Sequence, residues 1–124
     1  MSEPHTPRVL VVDDEQPIRL LLSRVLSRSG YDTVEAVDGQ DAIDQLKVGA
    51  FDAIVLDLMM PRVDGFGVVD HLIETKPHLI EKTVVVTAFP KAATKERLHH
   101  LCHVLSKPFD VHELLTAVRE CAGR

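Results

Sequence analysis

Aromatic residues are almost missing from this chain: four Phe, one Tyr and no Trp among 124 positions. Its core must therefore be aliphatic, built from Val, Leu, Ile and Ala. Cysteine is as scarce. Cys102 and Cys121 stand far apart with no C-x-x-C spacing. No disulfide framework is expected from them, and a reducing intracellular compartment is the default. Positive charge is in deficit, with 14 Lys and Arg against 19 Asp and Glu and a formal net charge of −5. That balance argues against a nucleic-acid binder, which shows a basic face. No apolar run approaches the ~20 residues of a membrane span. The opening MSEPHTP lacks the basic and then apolar pattern of a signal peptide. There is no internal repeat and no linker. The expectation is a soluble, cytoplasmic, single domain, long enough to bury roughly two thirds of its unfolded surface.

What is present alternates short apolar runs with helical patterns, five times over. Residues 1–7 read as a disordered lead, and the domain is expected over 8–122. Arg8–Asp13 is β-branched with no alternation, which suits a strand covered on both faces. Ile18, Leu21, Leu22, Val25 and Leu26 repeat at helical spacing, with Pro17 in the first turn and Gly30 at the stop. Residues 32–37 read as a second strand. Asp38 suits the cap of a helix carrying Ala42, Ile43 and Leu46 and ending near Gly49. A third strand runs from Phe51 to Asp57, and a loop follows through Pro61 and Asp64–Gly65. Phe66, Val69, Leu72 and Ile73 mark a third helix, and Thr83–Thr87 a fourth strand. Residues 91–101 are expected to be helical, with Ala92, Leu98 and Leu101 apolar. Val104–Leu105 is a short fifth strand. Asp110 and Glu113 form a capping-box pattern before a helix that turns Leu114, Leu115 and Val118 inward. Five strands alternating with five helices imply an α/β fold with a parallel sheet, right-handed crossovers and functional groups beyond the carboxyl ends of the strands.

Those strand ends carry the chemistry. Asp13 and Asp14 end the first strand, Asp57 the third, Thr87 the fourth and Lys107 the fifth. Any one of them alone would read as a helix cap or a loop residue; the set converges on one edge. Three carboxylates held together repel, and a hard divalent cation such as Mg²⁺ compensates them with oxygen ligation. Lys107 supplies a second positive charge. A carboxylate held between metal and ammonium stays ionised and can attack phosphorus. Metal and lysine then neutralise charge on the equatorial oxygens, and the Thr87 hydroxyl can hydrogen-bond one of them.

At Val11-Val-Asp-Asp-Glu15, Asp57-Leu-Met-Met-Pro61 with Asp64-Gly65, Thr87-Ala88 and Lys107-Pro-Phe109, the chain resembles the receiver domains of bacterial two-component response regulators. The resemblance covers residues 8 to about 122, nearly the whole chain, and the motifs are specific as a set. It implies a flavodoxin-like, doubly wound five-stranded sheet of order 2-1-3-4-5 flanked by five helices. It implies that Asp57 is the phosphoacceptor and that Asp13, Asp14 and Asp57 hold Mg²⁺ with the main-chain carbonyl of Met59. Lys107 would pair with the acceptor or its phosphate, and the Lys107–Pro108 bond would be cis. The donor would be a phosphohistidine on a sensor histidine kinase or a phosphotransfer protein. The downstream protein partner is not legible, and weak self-association through the face of the fourth helix is compatible with the family.

Three features depart from the family pattern. Val104 stands where receivers often carry a Tyr or Phe that turns inward when the threonine moves. Phe89 or Phe109 could substitute only sterically. Thr87 and Lys107 are 20 residues apart, about two fewer than the family pattern implies, so a shortened or irregular helix is expected after Pro90. Met59 and Phe89 lie two positions beyond the acceptor and the threonine, where bulk should hinder in-line water and prolong the phosphorylated form.

Other readings are weaker. His99 and His103 share helical i, i+4 spacing that could seat a transition metal near Cys102 and His100, but an exposed helix end is favoured. Cys102 reads as a small apolar filler rather than a reactive thiol. Arg62 reads as a solvated loop residue. A Mg²⁺-dependent phosphohydrolase with an Asp57 nucleophile is the enzyme alternative, but it would need a second carboxylate where Met59 stands. A phosphate-independent module that keeps the site as a relic is the other alternative. The expectation is a signalling phosphoacceptor that catalyses only its own phosphotransfer and dephosphorylation.

Overall fold

A computed structural model describes residues 6–58, 60, 64–88 and 101–123. Its five strands are β1 (Arg8–Val12), β2 (Asp32–Ala36), β3 (Ala53–Asp57), β4 (Thr83–Thr87) and β5 (His103–Ser106). All pair in parallel, in the order β2-β1-β3-β4-β5. The described α-helices are α1 (Gln16–Arg28), α2 (Gly39–Val48), α3 (Gly65–Thr75) and α4 (Val111–Cys121). The helix expected over 91–101, with Pro90, Ala92 and Leu98, falls outside the described residues apart from Leu101, as do Phe89, Met59, Arg62, His99 and His100.

The absence of alternation in the central strands has a direct cause. In β1, Val9 and Val11 pack on the α1 and α4 side with Leu22, Leu26, Leu114 and Val118. Leu10 and Val12 pack on the α2 and α3 side with Ala42, Leu46, Val69 and Leu72. Each face has its own aliphatic core, so both side-chain rows of a central strand must be apolar. Every residue of β3 and β4 is buried, whereas the edge strands β2 and β5 are largely half-exposed.

Caps fix the helix ends much as the residue types suggest. Asp38 accepts from the Asp41 N–H at 2.8 Å, and Asp110 with Glu113 forms a complete capping box. Asp64, expected in a loop, caps α3 by accepting from Gly67 N–H at 3.1 Å. Gly30 has φ 97°, the left-handed conformation that closes α1. Lys76 donates to the main-chain oxygens of Leu46 and Gly49, closing the end of α2.

Several expectations need correction. In α1, Leu22 and Leu26 are buried and Ile18 and Val25 pack partly buried against the same core, but Leu21 is half exposed, and Arg19 and Ser23 join the buried stripe. Ile73 faces out of α3, and Val68 faces in. A 3₁₀ helix over Pro77–Lys82, unforeseen, leads into β4 and buries Leu79 and Ile80. His103 belongs to β5, so the helical spacing with His99 does not hold. The largest correction concerns cysteine. Cys102 and Cys121 form a disulfide between the entry to β5 and the end of α4, with Cα atoms 5.9 Å apart. Cys102 is therefore neither a free thiol nor a plain filler. Its sequence distance from Cys121 hid a proximity that only the return of α4 along the sheet creates.

Candidate functional site

The carboxyl edge of the sheet gathers the site. Asp57 is the last residue of β3, in register with Val86 of β4. Thr87 is the last residue of β4, in register with Ser106 of β5. Asp13 and Asp14 follow directly after β1, and Lys107 directly after β5. Parallel strands all end at the same edge, so residues from four separate stretches of sequence converge without any special loop.

The side chains meet as well. Carboxylate oxygens of Asp13, Asp14 and Asp57 lie within 4.8 Å of one another. Asp13 is 1% exposed and Asp57 3%, while Asp14 is exposed. The cluster is thus a buried pair that opens to solvent through Asp14. Lys107 Nζ donates to Asp13 Oδ2 at 3.3 Å and to Asp57 Oδ2 at 3.4 Å, and Glu15 lies 3.8 Å away. Burial opposes the charge on Lys107, but the charges of Asp13 and Asp57 and their hydrogen bonds outweigh it. The ammonium is held above its ordinary value of 10.5.

Main-chain contacts set these positions. Lys107 N–H donates to Thr87 O at 2.8 Å, tying the ends of β5 and β4 together, and the Lys107–Pro108 bond is cis as expected. The Glu15 N–H donates to Asp13 Oδ1 at 2.9 Å. Gly65 admits no side chain. A Cβ there would lie 2.5 Å from Leu58 Cα and 2.7 Å from Asp57 O, and its N–H donates to Leu58 O at 3.1 Å. The start of α3 thus presses on the main chain at the end of β3.

One contributor escaped the sequence reading. Arg19, buried on α1, donates through Nη1 to Asp13 O at 2.9 Å and through Nε to Glu35 Oε1 at 3.1 Å. The signal was available in its i, i+3, i+4, i+7 relation to Leu22, Ser23 and Leu26, but a helical arginine normally reads as solvated. Val104, at the position of the expected aromatic, packs half-buried beside the cluster of Leu72 and Val85. Met59 lies outside the described residues.

The charge balance tests the fit of a cation. Three carboxylates face one ammonium, with Glu15 adding to the same side, so negative charge remains in excess over the described groups. All the clustered donors are hard oxygens, the set that suits Mg²⁺ rather than a soft metal. Beside Lys107, a groove of about 380 Å³ is lined by Ile18, Leu21, Pro108, Phe109 and Val111.

Residues 9–119 match the family described as response regulator receiver domain. Response regulator MprA of Mycolicibacterium vanbaalenii is 40% identical over 121 residues, covering 94% of this chain and 51% of that protein. MprA of Mycobacterium avium matches to the same extent. The chain therefore spans about half the length of these curated relatives. Among solved structures, the receiver domain of Francisella response regulator 1452 superposes with a TM-score of 0.84 at 29% identity, covering 95% of this chain and 98% of that one. TrrA from Thermotoga maritima, solved in complex with Mg²⁺-BeF, also gives 0.84 at 29% identity, covering 93% and 98%. With strand order, edge chemistry and sequence in agreement, the chain belongs to the response regulator receiver domain family of two-component signalling.

Proposed function

We propose that Asp57 accepts a phosphoryl group and that Asp13, Asp14 and Lys107 prepare it to do so. The observation that carries this reading is the single ammonium of Lys107 shared between Asp13 and Asp57 at the edge of the two central strands. A carboxylate that is buried yet paired stays ionised, the state required for attack on phosphorus. Asp13, Asp14 and Asp57, with the Met59 carbonyl that the family pattern supplies, would hold Mg²⁺. When bound, that ion would supply positive charge to offset that of the phosphoryl oxygens.

The chain's own groups account for the remaining steps. An Asp57 oxygen forms the new O–P bond while the P–N bond of a donor phosphohistidine breaks, and the imidazole leaves with the electron pair. Lys107 turns from the carboxylate toward the phosphoryl oxygens and offsets their charge. The Thr87 hydroxyl, at the end of the neighbouring strand, hydrogen-bonds one of those oxygens afterwards. The product carries roughly −1.5 to −2 charges where there was one. That addition biases whatever alternative arrangement the β4 end and the following segment can adopt.

The donor is a sensor histidine kinase or a phosphotransfer protein, and the groove of Ile18, Leu21, Phe109 and Val111 offers it an apolar footing next to Lys107. Such donors draw their phosphate from ATP, which suits a cytoplasmic setting. The role is that of a signalling phosphoacceptor spanning residues 8–122, not of a turnover enzyme. Incubation with acetyl phosphate and Mg²⁺ followed by intact mass should add one phosphoryl group to the wild type and none to Asp57→Ala. Equal gain by both proteins would reject Asp57 as the acceptor.

A further inference from the structure

A second group of metal-ligating side chains lies far from the acceptor edge. Ligand atoms of Cys102, His103 and Cys121 all fall within 4.8 Å of one another. They come from the entry to β5 and the last residue of α4. His103 is already oriented: its Nε2 and Glu120 Oε1 are 3.0 Å apart. Two sulfurs and an imidazole form a borderline-soft set, the opposite of the all-oxygen cluster at Asp57, and one that suits zinc over magnesium. Donors on a tetrahedral zinc, at Zn–S ~2.3 Å and Zn–N ~2.0–2.1 Å, sit about 3.5–3.8 Å from one another. The two sulfurs, bonded to each other in the disulfide, part to that spacing on reduction, and the imidazole nitrogen, within 4.8 Å of both, closes in slightly. Cys121 is buried while His103 is partly exposed, so the group has a packed floor and an open side.

We propose that reduction of the Cys102–Cys121 disulfide creates a zinc-binding site formed by Cys102, Cys121 and His103, with a water in the fourth position, and that oxidation abolishes it. Sulfurs joined in a disulfide carry no thiolate charge and do not ligate zinc. A dithiol reductant supplies two electrons and two protons, the S–S bond breaks, and the reductant becomes a disulfide. Zn²⁺ then displaces the two thiol protons and forms two S–Zn bonds. In the reverse direction a peroxide takes two electrons from the thiolates. The S–S bond re-forms, the O–O bond breaks, two protons from solvent complete two waters, and Zn²⁺ leaves. Glu120 is a positioning residue here, holding the imidazole through the hydrogen bond that metal-bound histidines ordinarily make to a carboxylate.

Cobalt gives the test a signature that the acidic site cannot produce. The full chain is reduced, freed of reductant under nitrogen and titrated with Co²⁺ in excess Mg²⁺. One equivalent should generate a thiolate-to-cobalt charge-transfer band, which Zn²⁺ then bleaches. The oxidised chain and Cys121→Ser should give no such band. His103→Ala should keep a weakened band with at least tenfold lower affinity. Glu120→Ala should lose about tenfold, in the range for groups that orient a ligand, and Glu120→Gln should restore it. Peroxide added to the zinc-loaded chain should release one Zn²⁺ to a chromophoric chelator as the disulfide returns. Absence of the band in the reduced chain, whether it stays folded or not, overturns the proposal. So does undiminished affinity in His103→Ala.

Discussion

Arg19 reaches from the buried face of α1 to the main-chain oxygen of Asp13, 2.9 Å from its Nη1, and so fixes the turn that presents two of the three clustered carboxylates. Arg19→Met would keep the aliphatic stem and leave that carbonyl, and the Glu35 carboxylate, without their donor. A buried acceptor without a partner costs about 1–3 kcal/mol. Urea unfolding should show a loss of that size, and phosphoryl uptake from acetyl phosphate should slow. Unchanged stability would mean that the Asp13 turn holds itself.

Gly65→Ala forces a Cβ against Leu58 Cα and Asp57 O, at 2.5 and 2.7 Å. Both obstacles involve main chain, so α3 or the acceptor loop must shift. The expected loss is about 1–3 kcal/mol, as for other overpacked sites, with slower uptake at Asp57. A variant that matches the wild type in both measurements would show the loop to be far more compliant than its packing suggests.

Lys107 sets a pH dependence whose sign is fixed. Its folded value is raised above 10.5, because Asp13 and Asp57 outweigh its burial. The charged form is therefore favoured by folding. Its contribution is fully present below 10.5 and fades as the pH climbs through the higher folded value. In EDTA, the stability difference between wild type and Lys107→Met should hold level from neutral pH into the mildly alkaline range and shrink only above the ordinary lysine value. A difference that already shrinks near neutrality would contradict the raised value.

The disulfide closes a loop between residues 19 apart in sequence. Chain-entropy reasoning assigns such a crosslink about 3 kcal/mol of stabilisation. The double variant Cys102→Ser/Cys121→Ser should lose most of that when unfolded in metal-free buffer, and in Mg²⁺ it should keep uptake at Asp57, since neither residue belongs to the acidic cluster. Loss of uptake in a folded double variant would reveal a coupling between the two ends of the sheet.

The central strands were legible because both their faces are covered, which writes an unbroken apolar run into β1, β3 and β4. The site was legible for a related reason: in a parallel sheet, a polar residue directly after such a run falls at the common edge. Asp13, Asp57, Thr87 and Lys107 could therefore be placed without any tertiary information. Arg19 could not, because the stripe of α1 is set by how the helix rolls against the sheet, and Leu20 and Leu21 offered an apolar decoy. The Cys102–Cys121 pair could not, because proximity across 19 residues depends on where α4 ends relative to β5. The 3₁₀ turn was hidden by Lys76–Pro77, which reads locally as a simple break.

The strand that carries Asp57 lies third of five, is buried along its whole length and is hydrogen-bonded on both sides. Such a strand belongs to the part of a protein that opens last, with amide exchange approaching the rate of global unfolding. The carboxylate proposed to react is thus mounted on the stator of the molecule. A signal begun there must be delivered by the rim, through pieces light enough to be displaced while their anchorage stays still.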